Sequence, residues 1–159
     1  MPRFTRSLLL AVLLSGAAAS ITFGQAAAPA MEPMSAVAAS SITWADLSVP
    51  GFDPGAKMAV INGDPAGTGV YSLRLSFPDG YKFPPHWHPM AENVTVLSGT
   101  LLLAMGDRVD DSKLKTYGPG DFLHIEGTHP HFGGARGATV IQLHGQGPFA
   151  INLVGSPAK

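Results

Sequence analysis

From Ile42 onward the chain is a succession of short alternating or β-branched runs separated by Gly, Pro, Asn and Asp. The clearest run is 70–77, in which apolar and polar side chains alternate, and this predicts a strand with one buried face. Residues 78–80, Pro-Asp-Gly, follow it as a turn, because Pro presets φ and Gly supplies a positive φ. After residue 26 no helical periodicity of useful length is found, so the pattern predicts an all-β fold.

Further strands are expected wherever such a run lies between turn residues. So many short strands in one domain imply a closed barrel or a double-sheet jelly roll, which also leaves few exposed edges. The length of the chain, 159 residues, suits a single domain. The additional predicted strands are 57–61, 83–88, 93–97, 100–105, 114–117, 121–125, 138–144 and 149–153.

The N-terminus has the organisation of a secretory signal peptide. Arg3 and Arg6 precede the apolar run 7–14, and Gly24-Gln25-Ala26 offers a small-x-small cleavage site. We therefore predict a signal peptide over residues 1–26, cut near Ala26, and a periplasmic or secreted protein. An uncleaved membrane anchor is the alternative, but the apolar run is about half the roughly twenty residues that an anchor needs.

Residues 27–41 are rich in Ala, Pro and Ser and contain a single charged side chain, Glu32. This composition predicts a flexible leader in front of one domain over residues 42–159. No membrane contact is expected after cleavage.

The overall charge and the absence of cysteine exclude several functions. The formal net charge is −1, and basic and acidic residues are scattered, which gives no footprint for nucleic acid or for a membrane surface. Without Cys the chain has no disulfide, no thiolate ligand and no thiol nucleophile. Any metal ion must therefore be held by His, carboxylate and water.

The segment around His86 contains residues that suit a metal site. His86 and His88 are two apart on a segment that Pro84 and Pro85 keep extended, so both imidazoles project to one side. Glu92 leads into the next alternating strand. Two imidazoles and a carboxylate that converge from adjacent strands suit Mn, Fe, Co, Ni, Cu or Zn.

The spacing of residues 80–99 resembles the first signature of the cupin superfamily. That signature is Gly, five residues, His-x-His, three residues, Glu, six residues and Gly, and this chain meets it at Gly80, His86, His88, Glu92 and Gly99. Every fixed position is present.

The second cupin signature is only partly matched over residues 120–135. Gly120 and His131 occupy their expected positions, whereas Glu126, Thr128 and Ala135 stand where the signature has Pro, Gly and Asn. This partial resemblance implies that His131 is the fourth metal ligand. His129 is its competitor.

The resemblance implies a single cupin domain, a double-stranded β-helix or jelly-roll barrel, with one divalent transition metal ion inside. The ligands would be His86, His88, Glu92 and His131, and the ion would be Fe, Mn, Ni or Zn. One or two positions would remain for water, O₂ or substrate, and an open position is what distinguishes a catalytic from a structural ion. The resemblance also implies a homodimer.

Five other residues are weaker candidates for the site. Gln142 and His144 share one face of their strand, and if that face lines the barrel His144 is a candidate general base and Gln142 a hydrogen-bond donor to substrate. The alternative for His144 is a strand-end His satisfied by water or backbone. Arg74 could pair with a substrate carboxylate or simply face solvent. Tyr81 and Trp87 flank the ligand segment and could form its walls, with packing as the alternative.

These observations favour a metal-dependent enzyme acting on a small organic molecule, with an oxygenase-type oxidoreductase as the first hypothesis. The alternative is a non-catalytic module that binds or senses a small ligand, and a barrel that has lost its metal is a third. Cupins host many reactions, so the fold does not choose among them. The discriminating feature is whether His144 or another titratable side chain lies within hydrogen-bond reach of an open coordination position. A saturated metal ion in a closed barrel without such a neighbour would favour binding or a structural role.

Overall fold

The computed structural model describes residues 34–155. The predicted signal peptide and the first part of the predicted leader lie outside the described residues. Residues 34–41 are exposed and include a short 3₁₀ turn, Ala39–Ser41. Within 34–155 no helix is long and apolar enough to cross a membrane.

The described residues form an all-β fold, which confirms the predicted fold class. Nine strands belong to one sheet, and every pairing between them is antiparallel. The strands are β1 (Ala45–Asp46), β2 (Lys57–Asn62), β3 (Val70–Phe77), β4 (Lys82–Trp87), β5 (Glu92–Met105), β6 (Lys115–Tyr117), β7 (Phe122–Ile125), β8 (His131–Gln146) and β9 (Asn152–Leu153).

Strand β8 organises the sheet. Along one edge it pairs with β4 through its first residues and with β3 through residues 139–146, and along the other edge it pairs with β5 over almost its whole length. Strand β5 also carries β6 and β7. The sheet therefore curls around a core of aliphatic and aromatic side chains, to which β3 contributes Tyr71, Leu73, Leu75 and Phe77.

Strand β5 is one continuous strand, so the predicted division into 93–97 and 100–105 is wrong. Ser98 and Gly99 do not form a turn; they form an irregularity at which the register with β8 shifts on both sides of Ser98. Gly99 has φ +74°, and a Cβ there would overlap the carbonyl oxygen of Ala138. A glycine bulge of this kind bends a strand without ending it.

Strand β8 begins at His131, seven residues before the predicted start at 138. The sequence of its first half, with Gly133 and Gly134, favours a loop by composition. The structure shows why a strand forms there: a Cβ on Gly133 would overlap the carbonyl oxygen of Leu102 in β5, and one on Gly134 would overlap that of Tyr81. Two neighbouring backbones approach β8 so closely that only glycine fits.

Candidate metal centre

Three histidines and one glutamate meet at one end of the core, where β4, β5 and β8 are adjacent. His86 in β4 lies directly opposite His131, the first residue of β8, and Glu92 is the first residue of β5. One ring nitrogen from each of His86, His88 and His131 lies within 4.8 Å of the other two. All four side chains are buried, with exposed fractions between 2% and 6%. The structure thus brings the four sequence-predicted ligands together.

The turn that precedes β8 holds His131 in the cluster and leaves His129 outside it. The N–H of Thr128 donates to the carbonyl of His88 at 2.7 Å, which fastens this turn to the ligand segment. Thr128 has φ +65°, so it keeps the left-handed conformation although the cupin signature has Gly there. A non-glycine residue in this conformation costs about 1–2 kcal/mol. His129 is exposed, and its Nδ1 lies 2.9 Å from the carbonyl of Gly127.

Each clustered histidine has its Nδ1 against a backbone carbonyl. The partners are Pro84 for His86 at 2.9 Å, Ala150 for His88 at 2.8 Å and His129 for His131 at 3.2 Å. A carbonyl can only accept, so each Nδ1 carries the proton and a neutral ring has its lone pair on Nε2. This is the tautomer that a metal site uses.

Glu92 completes a donor set that fits a cation. Its Oε1 lies 3.2 Å from Nε2 of His131 and 3.5 Å from Nε2 of His88. With the neutral tautomers described above, these contacts place lone pairs against each other, so a proton or a metal ion between them is required for stability. The other oxygen of Glu92, Oε2, is buried and has no hydrogen-bond partner among the described residues. A metal ion held by these side chains would accept the facing lone pairs and would give the Glu92 carboxylate a partner.

Burial and the close contacts within the cluster shift the pKa values of His86, His88 and Glu92. Burial, reinforced by the neighbouring His131 and His88, lowers the pKa of His86 from 6.5 to about 2. Burial likewise lowers the pKa of His88, against the opposing charge of Glu92. For Glu92 burial alone would raise the pKa, but a proton on Nε2 of His131 or His88 would face the carboxylate, and these contacts outweigh burial and lower the pKa. Neutral imidazoles and an ionised carboxylate are the forms that bind a metal ion.

The metal-free protein is expected to lose stability as the pH falls below about 6.5. In the unfolded chain His86 takes up a proton near its ordinary pKa of 6.5, whereas in the folded chain it stays neutral down to about pH 2. Between these values the unfolded state binds more protons, so the free energy of unfolding falls by up to about 1.4 kcal/mol per pH unit from this residue alone. Urea unfolding of chelator-treated protein at stepped pH measures the slope. His86→Gln should show a smaller slope, and equal slopes would contradict the assignment.

The four side chains line a narrow cavity of about 40 Å³ inside the barrel. Among the described residues, the rest of its lining is entirely hydrocarbon. These residues are Leu47, Phe52, Leu75, Phe77, Phe83, Val94, Leu101, Leu103, Ile141, Leu143, Phe149 and Ile151.

Part of this lining comes from the segment between β8 and β9. The sequence predicted a strand over 149–153 but did not indicate that this segment contributes to the site. The ring of Phe149 stacks on His88 with centroids 4.9 Å apart, and the carbonyl of Ala150 accepts from Nδ1 of the same histidine. Opposite it, Phe52 contacts the ring of His86 edge-on at 5.0 Å. The segment carries no motif; its apolar run after Gly147-Pro148 is the only sequence signal.

The outer face of the sheet carries Gln142, His144 and Arg74, so none of these three side chains lines the cavity. Ile141 and Leu143 of the same strand line the cavity, and alternation turns Gln142 and His144 the other way. Arg74 donates from Nε to Oε1 of Gln142 at 3.1 Å on that outer face.

Tyr81 and Trp87 are also absent from the lining of the cavity. Tyr81 is buried and stacks on Phe77 at 4.9 Å, and its Oη has no hydrogen-bond partner among the described residues. Burial raises the pKa of Tyr81 to about 12, so the phenol keeps its proton. Trp87 lies between His86 and His88 and, since alternate residues face opposite sides, is directed away from the cluster. Phe77 and Phe83 form the wall instead.

A family model described as a cupin domain matches residues 73–143, the part of the chain that contains the complete four-residue cluster. No curated protein sequence matches this chain.

Several solved structures have a similar fold at low sequence identity. The polyketide cyclase RemF from Streptomyces resistomycificus superposes with a TM-score of 0.61 at 19% identity, covering 79% of this chain and 88% of that one. A candidate acetylacetone dioxygenase from Methylibium petroleiphilum PM1 has a TM-score of 0.62 at 14% identity, covering 80% and 88%. The DMSP lyase DddQ from Ruegeria pomeroyi DSS-3 has a TM-score of 0.57 at 20% identity, covering 74% and 64%.

Proposed function

Residues 73–143 belong to the cupin superfamily, and on that premise we propose that this protein is a metal-dependent oxidoreductase of the oxygenase type that acts on a small organic molecule. One divalent transition metal ion would be held by His86, His88, Glu92 and His131. The observation that carries the proposal is the donor set itself, three imidazoles and one carboxylate brought together in a buried cluster, with no thiolate in the chain.

The lining disfavours reactions that need a separate acid or base. Lyases, isomerases and hydrolases commonly move a proton with a side chain that is not a metal ligand, and such a group must lie within hydrogen-bond reach of the substrate. Among residues 34–155, the only titratable side chains at the cavity are the four proposed ligands. A redox-active ion bound there would supply activation of O₂, which does not depend on such a base.

The chain's own residues would provide orientation and a dry site. The carbonyls of Pro84, Ala150 and His129 fix the three imidazole tautomers. Glu92 supplies one negative charge. Phe52, Phe149 and the aliphatic lining would surround the ion with hydrocarbon, which strengthens the electrostatic interactions in the site.

A non-catalytic binding or sensing module is the second candidate function. It is supported by the same absence of a proton-transfer side chain, together with the small size of the cavity, about 40 Å³. That volume holds roughly three water molecules. A module of this kind would capture a ligand at the ion and release it unchanged.

Dioxygen uptake distinguishes the two candidates. Iron-loaded protein is expected to consume O₂ when supplied with one or more compounds from a panel of small, mostly apolar organic molecules, and anaerobic conditions should stop their turnover. Acetylacetone is a suitable first compound, since a similar fold is named for that substrate. His86→Ala, treated in the same way, is the control. Turnover that persists without O₂ would remove the oxygenase proposal, and binding without turnover would favour the sensing module.

The identity of the metal would refine the reaction. Iron would favour oxygen chemistry, manganese or nickel would extend the field to decarboxylation as well as dioxygenation, and zinc would favour hydrolysis, isomerisation or a structural role. The proteins of similar fold named above include a cyclase and a lyase as well as a candidate dioxygenase.

We also propose that the mature protein is exported to the periplasm or secreted, and that it forms a homodimer. Export rests on the signal-like pattern of residues 1–26, and the dimer rests on the cupin resemblance. N-terminal sequencing of the protein from its native host should begin near residue 27. A mature chain that starts at Met1 would contradict export.

A further inference from the structure

Within the part of the chain that the structure describes, Glu92 is the only acidic residue that lines the cavity, and no Lys or Arg lines it. Of the described side chains that line it, three are the imidazoles of His86, His88 and His131, one is the Glu92 carboxylate, and the rest are hydrocarbon. Arg74, the one arginine that the sequence suggested for the site, donates to Gln142 on the outer face of the sheet. A ligand in this cavity therefore meets no side-chain partner for a charged or hydrogen-bonding group, except at the histidine and glutamate end.

The proposed metal site would leave this interior with one net positive charge. A divalent ion brings two positive charges and Glu92 brings one negative charge, whereas the three histidines donate from Nδ1 to backbone carbonyls and would bind the ion through Nε2 as neutral imidazoles. An uncompensated charge in an apolar interior is costly, by several kcal/mol even after relaxation. A ligand that carries one negative charge on the donor atom would remove this cost, whereas a neutral ligand would leave it.

From these two observations, and resting on the proposed metal site, we propose that the ligand of this protein is a compact apolar molecule that coordinates as a monoanion and carries no second charged group. Carboxylates, enolates and phenolates with hydrocarbon bodies belong to this class. Amino acids, dicarboxylates and sugars do not, because a second charge or several hydroxyls would be buried without partners.

The body of such a ligand has one direction in which to extend. Most of the hydrocarbon lining comes from strand residues. The exceptions, which lie outside all nine strands and are only half-buried, are Leu47, Phe52, Phe149 and Ile151. The present volume of about 40 Å³ suits only a few atoms. These four side chains are therefore the wall that must shift for a larger body, and they set its size.

Binding of three matched compounds to cobalt-loaded protein tests the charge rule without an assay of activity. Butyrate, butyramide and β-alanine have the same number of non-hydrogen atoms and are respectively anionic, neutral and zwitterionic. Butyrate is expected to change the visible spectrum of the bound cobalt and to bind at least about tenfold more tightly than either of the others in calorimetric titration. Leu47→Ala removes part of the half-buried wall and so enlarges the cavity. This variant should rank the three compounds in the same order of affinity and should bind butyrate more tightly than the natural protein does.

Arg74→Ala is the control that tests whether an arginine side chain contributes to the binding of the butyrate anion. It should leave butyrate affinity unchanged, because Arg74 lies on the outer face of the sheet. The inference is overturned if β-alanine or butyramide binds cobalt-loaded protein as tightly as butyrate, if Arg74→Ala weakens butyrate binding, or if butyrate binds neither the natural protein nor Leu47→Ala. Failure to take up cobalt at all would instead overturn the proposed metal site, so the two failures are distinguishable.

Discussion

Replacing His131 with alanine is expected to lower the affinity for a divalent transition metal ion by at least about 100-fold. Loss of a hydrogen-bond partner behind a ligand typically costs 10–100-fold, and loss of the ligand itself should cost no less. His131 has its Nε2 3.2 Å from Glu92 and its ring centroid 4.4 Å from that of His86, so no other described side chain can replace it. Calorimetric titration of chelator-treated protein with cobalt or zinc measures the change.

His129→Ala is the matched control, two residues away in the same turn. His129 is exposed and its ring contacts only the local backbone, so the affinity of this variant should stay within about twofold of the natural protein. Circular dichroism should show both variants folded. Equal losses in the two variants, or a larger loss for His129→Ala, would contradict the assignment of His131 as the fourth ligand.

Replacing Gly133 with alanine is expected to reduce the free energy of unfolding by about 3 kcal/mol. A Cβ at this position would overlap the carbonyl oxygen of Leu102 and press on the ring of Phe83 at 2.9 Å, so β8 could pair with β5 only after backbone movement. The same movement would displace His131, two residues earlier, and metal affinity should fall as well. Urea unfolding and metal titration measure the two effects.

Gly118→Ala provides the comparison for this variant. Nothing lies within 4 Å of a Cβ at Gly118, and its φ is outside the left-handed region. Its stability should therefore stay within about 0.5 kcal/mol of the natural protein. If Gly133→Ala were tolerated equally well, the close approach of β5 to β8 would not be a requirement of the fold.

The parts of the fold and site that sequence could predict are those encoded by neighbouring residues. Alternation alone predicted the bounds of β3, Val70–Phe77. The convergence of His86, His88 and Glu92 was predicted because these residues lie on two consecutive strand segments. These signals are local, so they do not depend on which elements pack together. The structure brings the three residues into one buried cluster.

Features set by distant contacts could not be predicted in this way. The early start of β8 at His131 depends on the backbones of β4 and β5, which lie far away in sequence and require the glycines at 133 and 134. The alternation in 138–144 separated Gln142 and His144 from Ile141 and Leu143, but only the assembled sheet decides which face lines the cavity.

The contacts that residues 149–150 make with His88 could not be predicted for a different reason. Phe149 acts through ring stacking and Ala150 through a backbone carbonyl, which any residue type possesses. Neither interaction imposes a recognisable residue pattern. Thr128 is a related case, since its left-handed backbone preserves the turn although the expected glycine is absent.

The metal content of untagged protein purified from its native compartment tests the central claim most directly. The four clustered donors predict close to one divalent transition metal ion per chain, and the content should drop to background in His86→Ala purified in the same way. Protein that is folded but contains no such ion and takes up none when it is added, or a His86→Ala variant with an unchanged metal content, would contradict the claim.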